Sequence, residues 1–167
     1  MRRTIILLLL ATFCMLSNAQ TFKTSTTLGV DFGSTYNYKI ITPHIAYTYN
    51  ITPKLSVGVR AEDAVTFQRD DNGNKIGDDR FALGGQVGYK AIQLCKFVNI
   101  QPRISVGHTI NSSGNQDYLY YQAGVYLTCE DKVGYPEIGF GFRNNFYHHS
   151  LDKNKTVFFI SYAFILP

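Results

Sequence analysis

The stretch Tyr118-Leu119-Tyr120-Tyr121-Gln122-Ala123-Gly124-Val125-Tyr126-Leu127-Thr128-Cys129 alternates from one residue to the next. Leu119, Tyr121, Ala123, Val125 and Leu127 fall on one face. Tyr120, Gln122, Gly124, Tyr126 and Thr128 fall on the other. A period of two belongs to a β-strand, because successive side chains point to opposite faces of a pleated backbone. The same alternation recurs over 22–33, 39–50, 55–68, 80–91, 97–110, 134–146 and 155–166, in segments of about ten residues or slightly more separated by turn residues. No helical period appears between them. Eight strands, an even number joined by short links, predict an all-β fold: an antiparallel up-and-down meander closed into a barrel.

Composition supports that class and excludes others. The chain has 167 residues, enough for one domain, with 12 Tyr, 12 Phe and only 17% charged residues. A disordered chain needs the opposite bias. The one long apolar run, Ile5 to Leu16, is too short for a spanning helix. Together with Arg2, Arg3 and Ser17-Asn18-Ala19 it has the three-part form of a secretory signal peptide, predicting that residues 1–19 are removed and that 20–167 form the barrel domain. Phe13 before Cys14 is a poor lipoprotein cleavage site. Without Arg2 and Arg3 the formal charge falls from +4 to +2. No basic run is present, so nucleic acid is not an expected partner.

The two faces differ in content. The more polar face carries Gly29, Gly58, Gly84, Gly88, Gly107, Gly124, Gly139 and Gly141, with Gly85 on the other. Glycine weakens an exposed strand but suits a narrow barrel interior, where side chains must interdigitate. The polar face is therefore assigned to the lumen and the apolar face to lipid. That places Arg60, Glu62, Arg80, Lys90, Arg103, Glu137 and Arg143 inside. Buried charges must pair, which predicts one network in which Glu62 and Glu137 are shared by Arg60, Arg103 and Arg143, closing the lumen as a plug. On the apolar face, Tyr47, Tyr49, Tyr89, Tyr162 and Phe164 gather at one end, and Phe32, Phe67, Phe81 and Phe158 at the other, as interfacial aromatic girdles do. Asp63 breaks the pattern, by lying near the outer headgroups or by a bulge that flips the parity.

Connector lengths alternate. Links 33–38, 69–79, 111–117 and 147–154 are polar and longer, while 51–54, 92–96 and 130–133 have four or five residues. Long loops at one end and tight turns at the other are expected of an outer-membrane barrel, with the N-terminus and short turns periplasmic. The signal peptide, the eight strands, the turn Tyr49-Asn50-Ile51-Thr52-Pro53-Lys54-Leu55-Ser56-Val57-Gly58 and the aromatic last strand resemble small outer-membrane β-barrel proteins of the OmpA/OmpX-like kind. The resemblance implies a Gram-negative outer membrane, contact with its lipids and lipopolysaccharide, and insertion by the barrel-assembly machinery. A terminal Phe read by that machinery is replaced here by Tyr162, Phe164, Leu166 and Pro167.

Other candidate sites are few, and each has a plain structural explanation. His148 and Ser150 have the spacing of the catalytic pair of outer-membrane lipid A deacylases, but no carboxylate follows Asp152 to orient the histidine. Asp70, Asn72, Asn74 and Asp78 offer the alternating oxygens of a calcium loop, without its glycine or its closing Glu. Cys95 and Cys129, at the short-turn end of neighbouring strands, are candidates for a disulfide. No cofactor is expected. The favoured expectation is a monomeric, non-enzymatic outer-membrane barrel with a structural or surface-interaction role. A lipid A deacylase and an adhesion or ligand module acting through the outer loops are the alternatives.

Overall fold

The computed structural model describes residues 24–69, 75–95, 98–110, 117–129, 134–147 and 154–167. The expected signal peptide, 1–19, lies outside them. Among the described residues nine strands are formed: β1 (Thr24–Thr35), β2 (Tyr38–Asn50), β3 (Leu55–Arg69), β4 (Lys75–Tyr89), β5 (Ile92–Cys95), β6 (Val98–Thr109), β7 (Tyr118–Cys129), β8 (Tyr135–Tyr147) and β9 (Lys155–Leu166). All pairings are antiparallel, and no helix occurs among the described residues. β5 is not a separate stave of the wall. β4 and β5 pair in turn with β6, Gly88 opposite Arg103 and then Ile92 opposite Ile100, so β5 prolongs β4 across an irregularity at residues 89–91. The wall therefore has eight strands, closed by β1 on β9 and by β4 on β6.

The closure has a definite stagger. Register partners lead from Thr24 through Tyr49, Val57, Val87, Ile104, Ala123, Phe142 and Phe158 back to β1 at Ser34, ten residues further along. Such a shear tilts the strands by about 40° and leaves an interior that side chains alone can fill.

Three connectors differ from expectation, the link expected over 92–96 being mostly β5. The polar link expected over 33–38 is a two-residue turn, Tyr36-Asn37, because the β1–β2 ladder continues through Ser34–Lys39 and Thr35–Tyr38. The link expected over 69–79 is largely strand, since β3 and β4 stay paired out to Arg69 and Lys75. Backbone pairing needs no apolar side chain, so polar strand ends read as loops in the sequence.

Strand parity holds around the wall. Arg60, Glu62 and Arg143 are at most 1% exposed, whereas Val59, Ile104 and Phe142 on the outer face are 62–65% exposed. Asp63 obeys the parity as well. Glu62 and Ala64 on either side of it are buried, and the β3–β4 register runs unbroken through Asp63–Phe81, so no bulge flips it. It is half-buried on the outer face beside Phe81. Across the other edge the β2–β3 register passes directly from Ile41–Val65 to His44–Glu62, skipping Pro43, which has no N–H to donate.

Candidate functional site

The one concentration of chemistry in the described residues is the lumen, which fills in three tiers. The tier nearest the long-loop end is aromatic and apolar: Tyr38, Ile40, Tyr118, Tyr120 and Val157 are buried together, with Tyr147 packed against them. Tyr38 and Tyr147 share a hydroxyl–hydroxyl bond of 3.2 Å, and Asn145 Nδ2 donates to the Tyr38 hydroxyl at 3.0 Å. Arg80, on the same inner face, is bound to Asp78.

The middle tier is an ion-pair cluster. On β3, Arg60 and Glu62 are two residues apart and so project inward together, with Arg60 Nε donating to Glu62 Oε2 at 2.8 Å. Arg60 Nη2 reaches across to Asp31 Oδ2 at 2.7 Å. From β8, Arg143 Nη2 donates to the other Glu62 oxygen at 2.5 Å, and Arg143 Nε donates to Asn145 Oδ1 at 2.9 Å. Gln122 Nε2 bonds Asp31 at 3.0 Å and His44 Nδ1 lies 3.7 Å from the second Asp31 oxygen. Two guanidinium charges thus meet two carboxylates with well-formed hydrogen bonds, the condition under which buried charge is tolerated.

The third tier is a fork-to-fork pair. Arg103 Nη1 and Nη2 donate to Glu137 Oε1 and Oε2 at 2.9 and 2.5 Å. The single shared network expected from sequence is therefore two clusters. Glu62 serves Arg60 and Arg143, and Glu137 serves Arg103. Tyr126 stands between them, since Gln122 Nε2 donates to its hydroxyl at 3.1 Å and the Arg103 guanidinium lies 4.2 Å from its ring centre. Arg143 stacks similarly on Tyr120, at 4.0 Å.

The glycines supply the room. Tyr126 pairs with Gly139 and Tyr120 with Gly107 across their ladders, and each ring covers its glycine so closely that a Cβ there would collide with it. Glycine, tyrosine ring and arginine are stacked in that order in both places.

Of the residues picked out from sequence, Arg60, Glu62 and Arg143 come together, as do Arg103 and Glu137. His148, Ser150, Asp70, Asn72 and Asn74 lie outside the described residues. Asp78 has its carboxylate bound by Arg80. The disulfide is corrected: Cys95 and Cys129 both pair with Val98, from opposite sides of β6. Two interstrand spacings separate their backbones by about 10 Å, beyond the ~7 Å that a disulfide spans. Cys129 is a free, exposed thiol. Sequence reasoning omitted Asp31 and His44 from the charged lumen although period-two alternation already put both on the polar face.

A family model described as "Putative MetA-pathway of phenol degradation" matches residues 11–93, slightly less than half of the chain. The match and the closed wall together fit a small barrel of the outer-membrane type. Comparison with curated proteins gives no match.

Proposed function

We propose that this chain is a non-enzymatic integral outer-membrane β-barrel protein of the OmpA/OmpX-like kind, a monomer with a plugged lumen and a structural or surface-interaction role. The observation that carries the reading is inverted polarity: ion pairs in the interior and a belt of apolar and aromatic residues outside. A water-soluble barrel of this size puts its charge outside, and so large an exposed apolar surface marks a partner or a membrane. The belt is bounded by Tyr49, Tyr89, Tyr162 and Phe164 towards the short turns and by Phe32, Phe67 and Phe158 towards the longer loops, all exposed. Asp63, beside Phe81, then falls in the outer girdle, where headgroups replace hydrocarbon. Outer-membrane lipids and lipopolysaccharide are the surrounding partners, with the short turns in the periplasm.

Three stacked tiers argue for a plug rather than a channel. The matching family's description concerns phenol degradation, and passage of a ring compound would require all three tiers to part. Membrane fractionation with gel migration before and after boiling tests the reading. Outer-membrane recovery with a heat-dependent mobility shift is expected, and recovery in the soluble fraction overturns it. Planar-bilayer recording is expected to show no steady conductance. Loss of lipid A deacylation in Ser150→Ala would instead favour the enzymatic alternative.

A further inference from the structure

The outer wall carries a polar pair in an apolar setting near its long-loop end. Ser34 on β1 and Lys39 on β2 are direct partners, one step short of the end of the β1–β2 ladder. Both side chains are exposed on the outer face, since Gly33, Tyr38 and Ile40 beside them point inward and are buried. Phe158 flanks Ser34 from β9 and Phe67 flanks Lys39 from β3, so the register row reads Phe158, Ser34, Lys39, Phe67. Phe32, two residues before Ser34 and opposite Ile41, bounds the pair on the side of the barrel's middle. All three rings are exposed, and they form an apolar floor around one ammonium and one hydroxyl.

The charge of Lys39 is uncompensated. Among the described residues no side chain engages its ammonium or the Ser34 hydroxyl. Asp79 on the same face is two strands away on β4, beside Val65, and has an interaction of its own. An ammonium is costly in hydrocarbon and tolerated near an interface. The pair stands about 5 Å further out than Phe32 and Ile41, two residues along a strand tilted by about 40°. A lysine stem then lies along the rings while its head reaches the headgroup layer. Directly opposed side chains on a ladder start about 5 Å apart, so ammonium and hydroxyl can both donate to one anion. Two donors and a positive charge above phenyl rings suit a phosphate that carries acyl chains.

We propose that Lys39 and Ser34 hold the phosphate of an outer-leaflet lipid, with its acyl chains against Phe32, Phe67 and Phe158. The proposal rests on the membrane reading and deepens it, because it assigns one lipid a fixed place on the wall. A phosphate monoester, with a charge between −1 and −2, suits the pair better than the diester of a zwitterionic lipid, whose own cation competes with Lys39.

Native mass spectrometry of the full chain folded in detergent tests the proposal, with dioleoyl phosphatidic acid, dioleoyl glycerol and inorganic phosphate as probes. One phosphatidic acid per barrel is expected to be retained in preference to the diacylglycerol, which has the same chains and no phosphate. Lys39→Gln should weaken retention by about fivefold, the usual share of one lysine at an anionic lipid surface. Ser34→Ala should weaken it less, and Lys39→Arg should keep it. Lys155→Gln, at the same end but opposite the inward-facing Asn145, should change nothing. Inorganic phosphate should fail to displace the lipid, and displacement would overturn a lipid as the ligand. Equal retention of the two lipids, or equal retention by wild type and Lys39→Gln, overturns the site. A heat-dependent mobility shift in that same sample would leave the membrane reading standing, whereas a chain that stays soluble without detergent overturns both.

Discussion

The ring of Tyr126 lies flat against Gly139, its partner across the β7–β8 ladder, so closely that no side chain fits between them. Gly139→Val should therefore destabilise the barrel by about 1–3 kcal/mol, the usual cost of overpacking a filled interior. Gly85 is the internal control. It faces outward and a Cβ there meets nothing nearer than 3.8 Å, so Gly85→Val should shift stability by about 0.5 kcal/mol or less. Urea unfolding of protein refolded into vesicles measures both, and equal effects would count against a packed lumen.

Glu62 holds two arginines at once, Arg60 at 2.8 Å and Arg143 at 2.5 Å. Glu62→Gln leaves Arg143 without its carboxylate partner and should lose about 3–5 kcal/mol, as breaking one side of a buried pair does. Replacing Glu62 and Arg143 together by Leu should cost less than the sum of the single losses. Additive losses in the same unfolding assay would show that the pair is not coupled.

Val59 stands 65% exposed on the outer face, midway between the two aromatic girdles. If lipid surrounds it, Val59→Arg should cost about 2–4 kcal/mol in vesicles, falling towards zero for a charge placed near an interface. Asp63→Arg, beside Phe81 in the outer girdle, should accordingly be far milder. A neutral Val59→Arg would mean that water, not hydrocarbon, meets this face.

Cys95 and Cys129 are separated by the whole width of β6. Migration on a denaturing gel should be identical with and without reductant. The exposed Cys129 thiol should take up a maleimide in the folded protein, and Cys129→Ser should lower the labelling by one equivalent. A reductant-dependent shift in monomer migration would restore the disulfide.

The wall was legible from alternation alone, because a barrel buried on one face and apolar on the other writes its parity into every second residue. Glu62, Arg60 and Arg143 could be placed inside on that basis, as could Gly139 and Gly107. Which carboxylate meets which arginine could not be. That depends on the stagger between strands, and the ten-residue shear that sets Glu137 below Glu62 is a property of the closed circuit rather than of any one segment. The polar ends of β1 and β3 were hidden for another reason: alternation marks burial, and backbone pairing continues where burial stops. The separation of Cys95 from Cys129 was obscured similarly, since β5 extends β4 instead of forming a turn.

The ladder between β1 and β9, with Thr26 opposite Leu166 and Ser34 opposite Phe158, joins the first described strand to the last. Contacts this distant along the chain contribute the largest loop-closure entropy and slow a folding reaction. Until β9 arrives, both β1 and β8 present open edges able to pair with another chain. The closing strand therefore governs the timing of assembly, and the unfinished barrel is the species most exposed to aggregation.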